Sequence, residues 1–402
     1  MNEKTGIIKK CGCVLYTLLI FLFVADPTNT IFGLKSIVFA LLLFYNIIFL
    51  RPNWYNLIYS LIPILVVLLS WVFAVIQGNN VNMTELKAVL QAFSPLLLLL
   101  WSNYYDVVKL SVLPVTLTAI IVLILFWVIF FLPELEGPIY MYMGAHNDTI
   151  MMSNRSILGV RIFCMYLKST VALLPVYGFA LYKILNKGDN RILYIFIALV
   201  LLHLFLISGT RSSILLPILL LFIMIFVYCR NGRRMRYVVY PAVLLFVIIF
   251  IVFLAMMLME KTEDSNLVKY GHLNSYKELF SENPIYLLIG QGPGTEFYSE
   301  GFRRMTMETE WTYLELLRNY GLLCLPILYV VMRPLVVLFN FARKNDVALA
   351  MLLSFAIYLV IAGTNPLLLS STGILVLLSI YSFIDILKQK TDRSDGMYKE
   401  IF

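Results

Sequence analysis

Residues 192–229 read ILYIFIALVLLHLFLISGTRSSILLPILLLFIMIFVYC, two apolar runs parted by the polar stretch Ser208-Gly209-Thr210-Arg211-Ser212-Ser213. As one helix the segment would run about 57 Å, nearly twice a bilayer's hydrocarbon core of about 30 Å. It reads as two membrane spans joined by a turn, and the same pattern repeats along the chain in both directions. Apolar runs fall at 11–25, 31–50, 57–76, 84–101, 107–132, 161–184, 192–208, 213–229, 237–259, 312–332, 347–363 and 367–387. Composition agrees: the 402 residues are 61% hydrophobic and 13% charged, with mean hydropathy +0.87. Soluble domains average about 45–50% apolar and about 25% charged. The composition excludes a soluble globule. The expected fold class is an all-α, polytopic transmembrane helix bundle of about 12 spans, a single integral membrane domain over residues 1–402.

Charge orients the bundle. The excess of 31 Lys and Arg over 23 Asp and Glu gives a net charge of +8, which in a membrane protein reports loops facing anionic lipid and not nucleic-acid binding. Basic residues gather on the side shared by both termini, at Lys9 and Lys10, Lys183 to Arg191, Arg230 to Arg236, Arg343 and Lys344, and Lys388 to Lys399. The short connections opposite, around Asp26, around Asn79 and at 364–366, carry none. The positive-inside rule then makes both termini cytoplasmic. Lys9 and Lys10 before an apolar stretch imitate a signal peptide, but Phe23 is too large for the position before a cleavage site at Ala25, so the first span is retained. The five cysteines lie in or beside apolar runs and the three histidines are scattered, so neither a disulfide nor a metal is expected.

Two long connections lie outside, 133–160 and 260–311, and 388–402 is a loose cytoplasmic tail. Connections in compact bundles usually run about 2–8 residues, so the loop at 260–311, between spans nine and ten, reads as a lid or binding element. Leu273, Tyr276, Leu279 and Phe280 follow helical spacing there, as an amphipathic helix on the outer membrane surface or a helix packed on the bundle top.

Ionisable side chains in or against apolar spans are costly and mark function. Arg155, Arg161, Lys168 and Arg211 are such residues on the outer side. Arg161 and Lys168, seven apart on a sixth helix, share one face, where they snorkel, pair internally or bind an anion. Arg211 sits just before a helix whose first amides are free and whose dipole is positive there, a place suited to phosphate; the plainer alternative is a turn whose arginine reaches headgroups. Further on come Gly290-Gln291-Gly292-Pro293-Gly294, Arg303-Arg304, and Glu308-Thr-Glu310-Trp-Thr-Tyr313-Leu-Glu-Leu-Leu-Arg318-Asn-Tyr-Gly321. Without a βαβ unit the glycines are no dinucleotide fingerprint; Gly292 and Gly294 let the backbone turn tightly beneath a ligand. Glu308 and Glu310 are either helix-starting acids or working carboxylates, and Arg318 has Glu315 at i, i+3 spacing.

With its Ser-Gly-Thr-Arg-Ser turn, its Gly-x-Gly-x-Gly outer loop and the Glu-Trp-Thr-Tyr-Leu-Glu-Leu-Leu-Arg-Asn-Tyr-Gly run, the chain resembles the Wzy-type O-antigen polymerases, which belong with the O-antigen ligases to one superfamily of membrane glycosyltransferases. The motif match spans about 206–215 and 288–325. The resemblance implies a bacterial inner-membrane enzyme that uses an undecaprenyl-diphosphate-linked oligosaccharide donor and acceptor, with no metal or cofactor and with inversion at the anomeric carbon. A chain-length regulator and a flippase would be its partners, beside membrane lipid. Arg211, then Arg155, Arg161 and Lys168, would hold the diphosphate; Gly292, Gly294, Arg303, Arg304, Tyr313 and Arg318 would line the glycan path. Where the ligases have a histidine, alignment on Tyr313-Leu314 puts Glu310, with Glu308 as rival if the alignment slips by two. A carboxylate can serve as general base toward a sugar hydroxyl, while the leaving diphosphate needs positive charge. An O-antigen ligase, a capsule polymerase and a transporter of lipid-linked sugars are the alternatives, the last weakened by the absence of visible half-to-half symmetry.

Overall fold

The structure is a computed structural model that describes residues 3–157, 160–186, 189–229 and 264–399. In chain order its helices are α1 (Glu3–Ala25), α2 (Lys35–Phe49), α3 (Leu57–Ile76), α4 (Met83–Phe93), α5 (Val107–Phe131), α6 (Glu136–Ala145), α7 (Leu174–Leu185), α8 (Arg191–Ile207), α9 (Arg211–Cys229), α10 (Asp264–Glu282), α11 (Tyr286–Ile289), α12 (Thr312–Tyr320), α13 (Cys324–Ala342), α14 (Asp346–Gly363) and α15 (Ser371–Lys399). Two antiparallel hairpins interrupt them: β1 (Ile150–Ile157) with β2 (Val160–Leu167), and β3 (Phe297–Ser299) with β4 (Arg304–Thr306).

Eight stretches among the described residues are long and apolar enough to cross a membrane, and Lys35–Phe49, Thr170–Leu185 and Arg191–Ile207 are shorter apolar helices. The expected run 237–259 lies outside the described residues. The chain is thus a predominantly helical membrane bundle. Side chains such as Phe44, Ile76, Leu113, Phe131 and Val336 face outward, as lipid-facing helices require, since lipid accepts apolar groups but not open backbone. Helix starts follow local chemistry: Asn82 caps α4 through Thr84 N at 2.9 Å, Asp106 caps α5 through Lys109 N at 3.3 Å, and Asn345 caps α14 through Val347 N at 3.0 Å. Hydroxyls inside spans bond back to their own helix, as Ser111 to Val107 O at 2.6 Å and Ser354 to Ala350 O at 2.7 Å, so they need no water.

Contacts sort the bundle into two ends. Ser169 Oγ donates to Val24 O at 2.5 Å and Ser371 Oγ to Pro27 O at 3.2 Å, which brings the end of α1, the hairpin exit and the start of α15 together at the end that carries the loops. The start of α1 and the far end of α15 therefore lie at the opposite end, the terminal end of the described chain. There Tyr228 OH donates to Asp346 O at 2.8 Å, joining the end of α9 to the start of α14.

Three expectations are corrected. The run 161–184 is not one helix: 160–167 is strand β2, Thr170–Leu173 is a 3-10 turn, and α7 begins only at Leu174. Arg161 and Lys168 therefore share no helix face; Arg161 pairs in register with Ser156, and Lys168 follows the last strand residue. The tail expected to be loose continues α15 through Lys399. Of the two readings for the helix near 273–280, packing on protein holds: in α10, Tyr276 and His272 are buried, with Tyr276 5.4 Å from Phe297 and His272 Nδ1 2.8 Å from Ser299 Oγ.

Candidate functional site at the loop end

The second loop is built around an arginine. Arg318 on α12 is 0% exposed, and all three of its nitrogens donate. Nε donates to Glu315 Oε2 at 2.9 Å; Nη1 to Gln291 Oε1 at 2.8 Å and to Thr295 O at 3.1 Å; Nη2 to Met307 O at 2.5 Å, with Glu315 Oε2 2.8 Å away. Its Cζ also lies 4.6 Å from the Phe297 ring centre. Glu315 completes the knot by accepting Tyr276 OH at 2.6 Å and Thr309 N at 2.9 Å. A buried charge is tolerable only when paired and fully hydrogen-bonded, and this one ties α10, the glycine segment, β3 and the 307–309 strap to one helix. Fully buried and with each nitrogen engaged, Arg318 has no edge to offer a glycan and acts as a fastening, the outcome that its i, i+3 spacing to Glu315 allowed.

The glycines too turn against protein and not beneath a ligand. Gly292 has φ +106°, and a Cβ there would stand 2.2 Å from Ala74 Cβ on α3. Gly290 and Gly321 meet back to back: a Cβ on Gly290 would approach Asn319 O to 2.4 Å, and one on Gly321 would approach Gly290 N to 2.5 Å. Gly294 O accepts Asn82 N at 2.9 Å, beside the bridge from Val81 to Thr295. The loop is thereby moulded onto α3 and α4. Tyr313 is likewise spent on packing, its OH donating to Leu359 O at 2.9 Å, and Thr312 Oγ1 donates to Asn365 O at 2.6 Å.

Against this fixed ground the two candidate carboxylates differ. α12 begins at Thr312, so neither lies in its first turn, where the acid is Glu315. Glu310 is 3.5 Å from Lys269 Nζ in a half-exposed ion pair. Among the described residues, no hydrogen bond or ion pair engages the Glu308 carboxylate; only its backbone bonds Thr306. The Glu308 side chain reaches solvent but is crowded by protein on its other sides. That crowding raises its carboxyl above the usual range, Glu315 and Glu85 add to the rise, and Arg318 and Lys168 oppose it. Lys168 answers from the hairpin exit: Nζ donates to Asn147 O at 2.5 Å, burial lowers its pKa, and Asp148 and Glu308 counteract the fall. Glu85 on α4 and Lys168 at the hairpin exit thus each act electrostatically on Glu308 from separate elements.

Glu85 was not singled out in the sequence, where Asn82-x-x-Glu85 reads simply as a helix start. Arg303, with φ +54°, and Arg304 are exposed on the β3–β4 hairpin. Tyr270 and Tyr298 are exposed aromatic faces in the same loop. Arg211 opens α9 after Gly209 at φ +67°. Because α9 and α14 share the terminal end through Tyr228 and Asp346, Arg211 and Gly363 both lie at the loop end, where the 364–366 turn holds Thr312. Arg155 and Arg161 belong to β1 and β2, paired with Ile162 and Ser156; their side chains lie outside the described residues.

A carboxylate raised above its usual range can take a proton from a hydroxyl, while a separate cation at the same face can steady a departing anion. Neither a family model, nor a curated protein, nor a solved structure matches the chain.

Proposed function

We propose that the protein is a membrane glycosyltransferase that polymerises undecaprenyl-diphosphate-linked O-antigen repeat units at the outer face of the bacterial inner membrane, with twelve crossings and cytoplasmic termini. The observation that carries the reading is Glu308, a carboxylate without a hydrogen bond or ion pair among the described residues, raised above its usual range by crowding and neighbouring acids in a loop fastened to the bundle. In this reading Glu308 and not Glu310 is the base, since Glu310 is engaged by Lys269. Glu308 takes the proton of the acceptor hydroxyl as its oxygen bonds to the donor's anomeric carbon from the face opposite the diphosphate. The bond from that carbon to the diphosphate oxygen breaks, and undecaprenyl diphosphate leaves with its electron pair. Arg211, with the amides that open α9, holds the diphosphate, and Lys168 meets the negative charge around Glu308. In this reading the glycan runs over the loop that exposes Arg303, Arg304, Tyr270 and Tyr298.

The test is transfer between purified lipid-linked repeats. Glu308→Gln keeps the shape but cannot accept the proton, and a loss of about 10²-fold or more is expected, with Glu310→Gln near normal. Normal turnover by Glu308→Gln would remove the carboxylate base. Lipopolysaccharide from a strain lacking the protein separates the alternatives: single repeats on the core indicate a polymerase, bare core a ligase or flippase.

A further inference from the structure

At the end of the bundle that holds both termini, the start of α3, the turn before α5, and helices α13 and α15 enclose a polar cavity of about 380 Å³. It belongs to none of the chemistry above. Its carboxylate, Asp385, is already committed: Oδ2 accepts Asn56 Nδ2 at 2.7 Å and the Ser102 hydroxyl. Two cations share the wall with it, Arg333 and Lys388, and among the described residues neither has a carboxylate within 4.0 Å. The cavity therefore carries an excess of positive charge.

The arginine is also held in place. Its Cζ lies 4.1 Å from the Tyr59 ring centre and 5.7 Å from that of Tyr381. Rings beside a guanidinium hold it by cation–π attraction, and the N–H groups that Tyr381 does not engage can meet an oxygen ligand. Asn53 and Gln389 add amides to the wall. Asn103 Oδ1, also on the wall, is buried with no hydrogen-bond partner. A buried acceptor left unmet is costly, and it asks for a donor. Inorganic phosphate near neutral pH and a phosphodiester with a hydroxylated headgroup both supply an anion together with a hydroxyl donor.

The rim favours a lipid over a soluble ester. Trp54 and Tyr55 are 67% and 89% exposed beside the mouth, the residue types that settle at a membrane's polar boundary. Ile58 and Tyr329 continue the exposed apolar surface alongside, where acyl chains would lie. We propose that this cavity binds the headgroup of an anionic glycerophospholipid of the phosphatidylglycerol type, phosphate on Arg333 and Lys388 and a glycerol hydroxyl on Asn103, in the leaflet at the terminal end.

The experiment is native mass spectrometry of the full chain released from lipid nanodiscs containing phosphatidylglycerol and phosphatidylcholine, for wild type, Lys388→Gln, and Arg333→Gln combined with Lys388→Gln. Wild type should retain phosphatidylglycerol in preference to phosphatidylcholine, and the double variant should bind it about 10-fold or more weakly, as the loss of two cations near a charged surface dictates. Lys388→Gln, at the half-exposed rim, gives the same comparison with an intermediate loss if the double variant does not purify as monodisperse protein. Equal retention of phosphatidylglycerol by wild type and Lys388→Gln would overturn the site. Displacement of the bound lipid by inorganic phosphate would overturn the lipid assignment in favour of a soluble phosphate.

Discussion

Replacing Arg318 with methionine should loosen the second loop far more than it loosens the bundle. The substitution strands the Glu315 carboxylate, 7% exposed, and removes the donors that met Gln291 Oε1, Thr295 O and Met307 O. Breaking a buried pair from one side costs about 3–5 kcal/mol. The cost falls on local opening, because apart from the pair with Glu315 inside α12 the bonds lost join α12 to the loop. A penalty of that size multiplies the open population roughly 150- to 4,500-fold. Amide hydrogen exchange reads it at two places, the Gln291 N–H on Arg318 O at 2.7 Å and the Gly292 N–H on Asn319 O at 3.2 Å. Protection there should fall by that factor while amides in α5 and α14 hold. Adding Glu315→Gln to Arg318→Met should restore part of the protection, since the stranded charge is gone while the amide oxygen still accepts from Tyr276 OH and Thr309 N. A change of less than about 5-fold at Gln291 and Gly292 would refute the fastening role.

Gly292→Ala, whose Cβ would press on Ala74 Cβ at 2.2 Å, should lower the melting temperature through overpacking of about 1–3 kcal/mol, and Ala74→Gly should recover part of it. In transfer assays, activity should fall as pH drops through the raised Glu308 pKa, where the base becomes protonated. Glu85→Gln removes a repelling charge and should move that acid limb to lower pH, whereas Lys168→Gln removes an attracting one and should move it to higher pH. Arg211→Lys should impair polymer formation strongly at equal protein level, because a point charge cannot reproduce a planar fork on a diphosphate; wild-type polymer would remove Arg211 from the site. In a cysteine-free background, Glu300→Cys should react with an impermeant reagent in intact spheroplasts while Lys344→Cys is protected, and the reverse pattern would invert the orientation.

Eight of the twelve expected spans were legible among the described residues, because membrane crossing imposes length and apolarity, two properties a bare sequence displays. The break inside 192–229 falls where the polar residues put it, with α8 ending at Ile207 and α9 opening at Arg211. The first hairpin was not legible. Residues 160–167, Val-Arg-Ile-Phe-Cys-Met-Tyr-Leu, are apolar enough to join the helix that follows, and Cys164, Met165 and Leu167 are all buried, so no alternation betrays the strand. Pairing with 150–157 decides it, a tertiary fact. The site divides in the same way. Glu315 and Arg318 sit three residues apart and their pairing could be read off the helix; Glu308 and Lys168 are brought together by the hairpin exit, which no local pattern encodes. Tyr313 and the glycines drew attention as motif members, yet their motif is one of packing, fixed by Leu359, Ala74 and Asn319.

The back-to-back meeting of Gly290 and Gly321 bears on how this protein can diverge. Neither residue can gain a side chain while the other segment stays put, and a compensating change would have to move two main chains at once, so single mutational steps away from this pair are closed. Descendants should therefore keep both glycines whatever their activity. In a table of variable and invariant columns the pair would stand level with Glu308 and outrank Lys168, although it touches no substrate. Selection experiments that score surface expression separately from polymer would tell them apart: glycine variants should vanish from both pools, and Glu308 variants from the polymer pool alone.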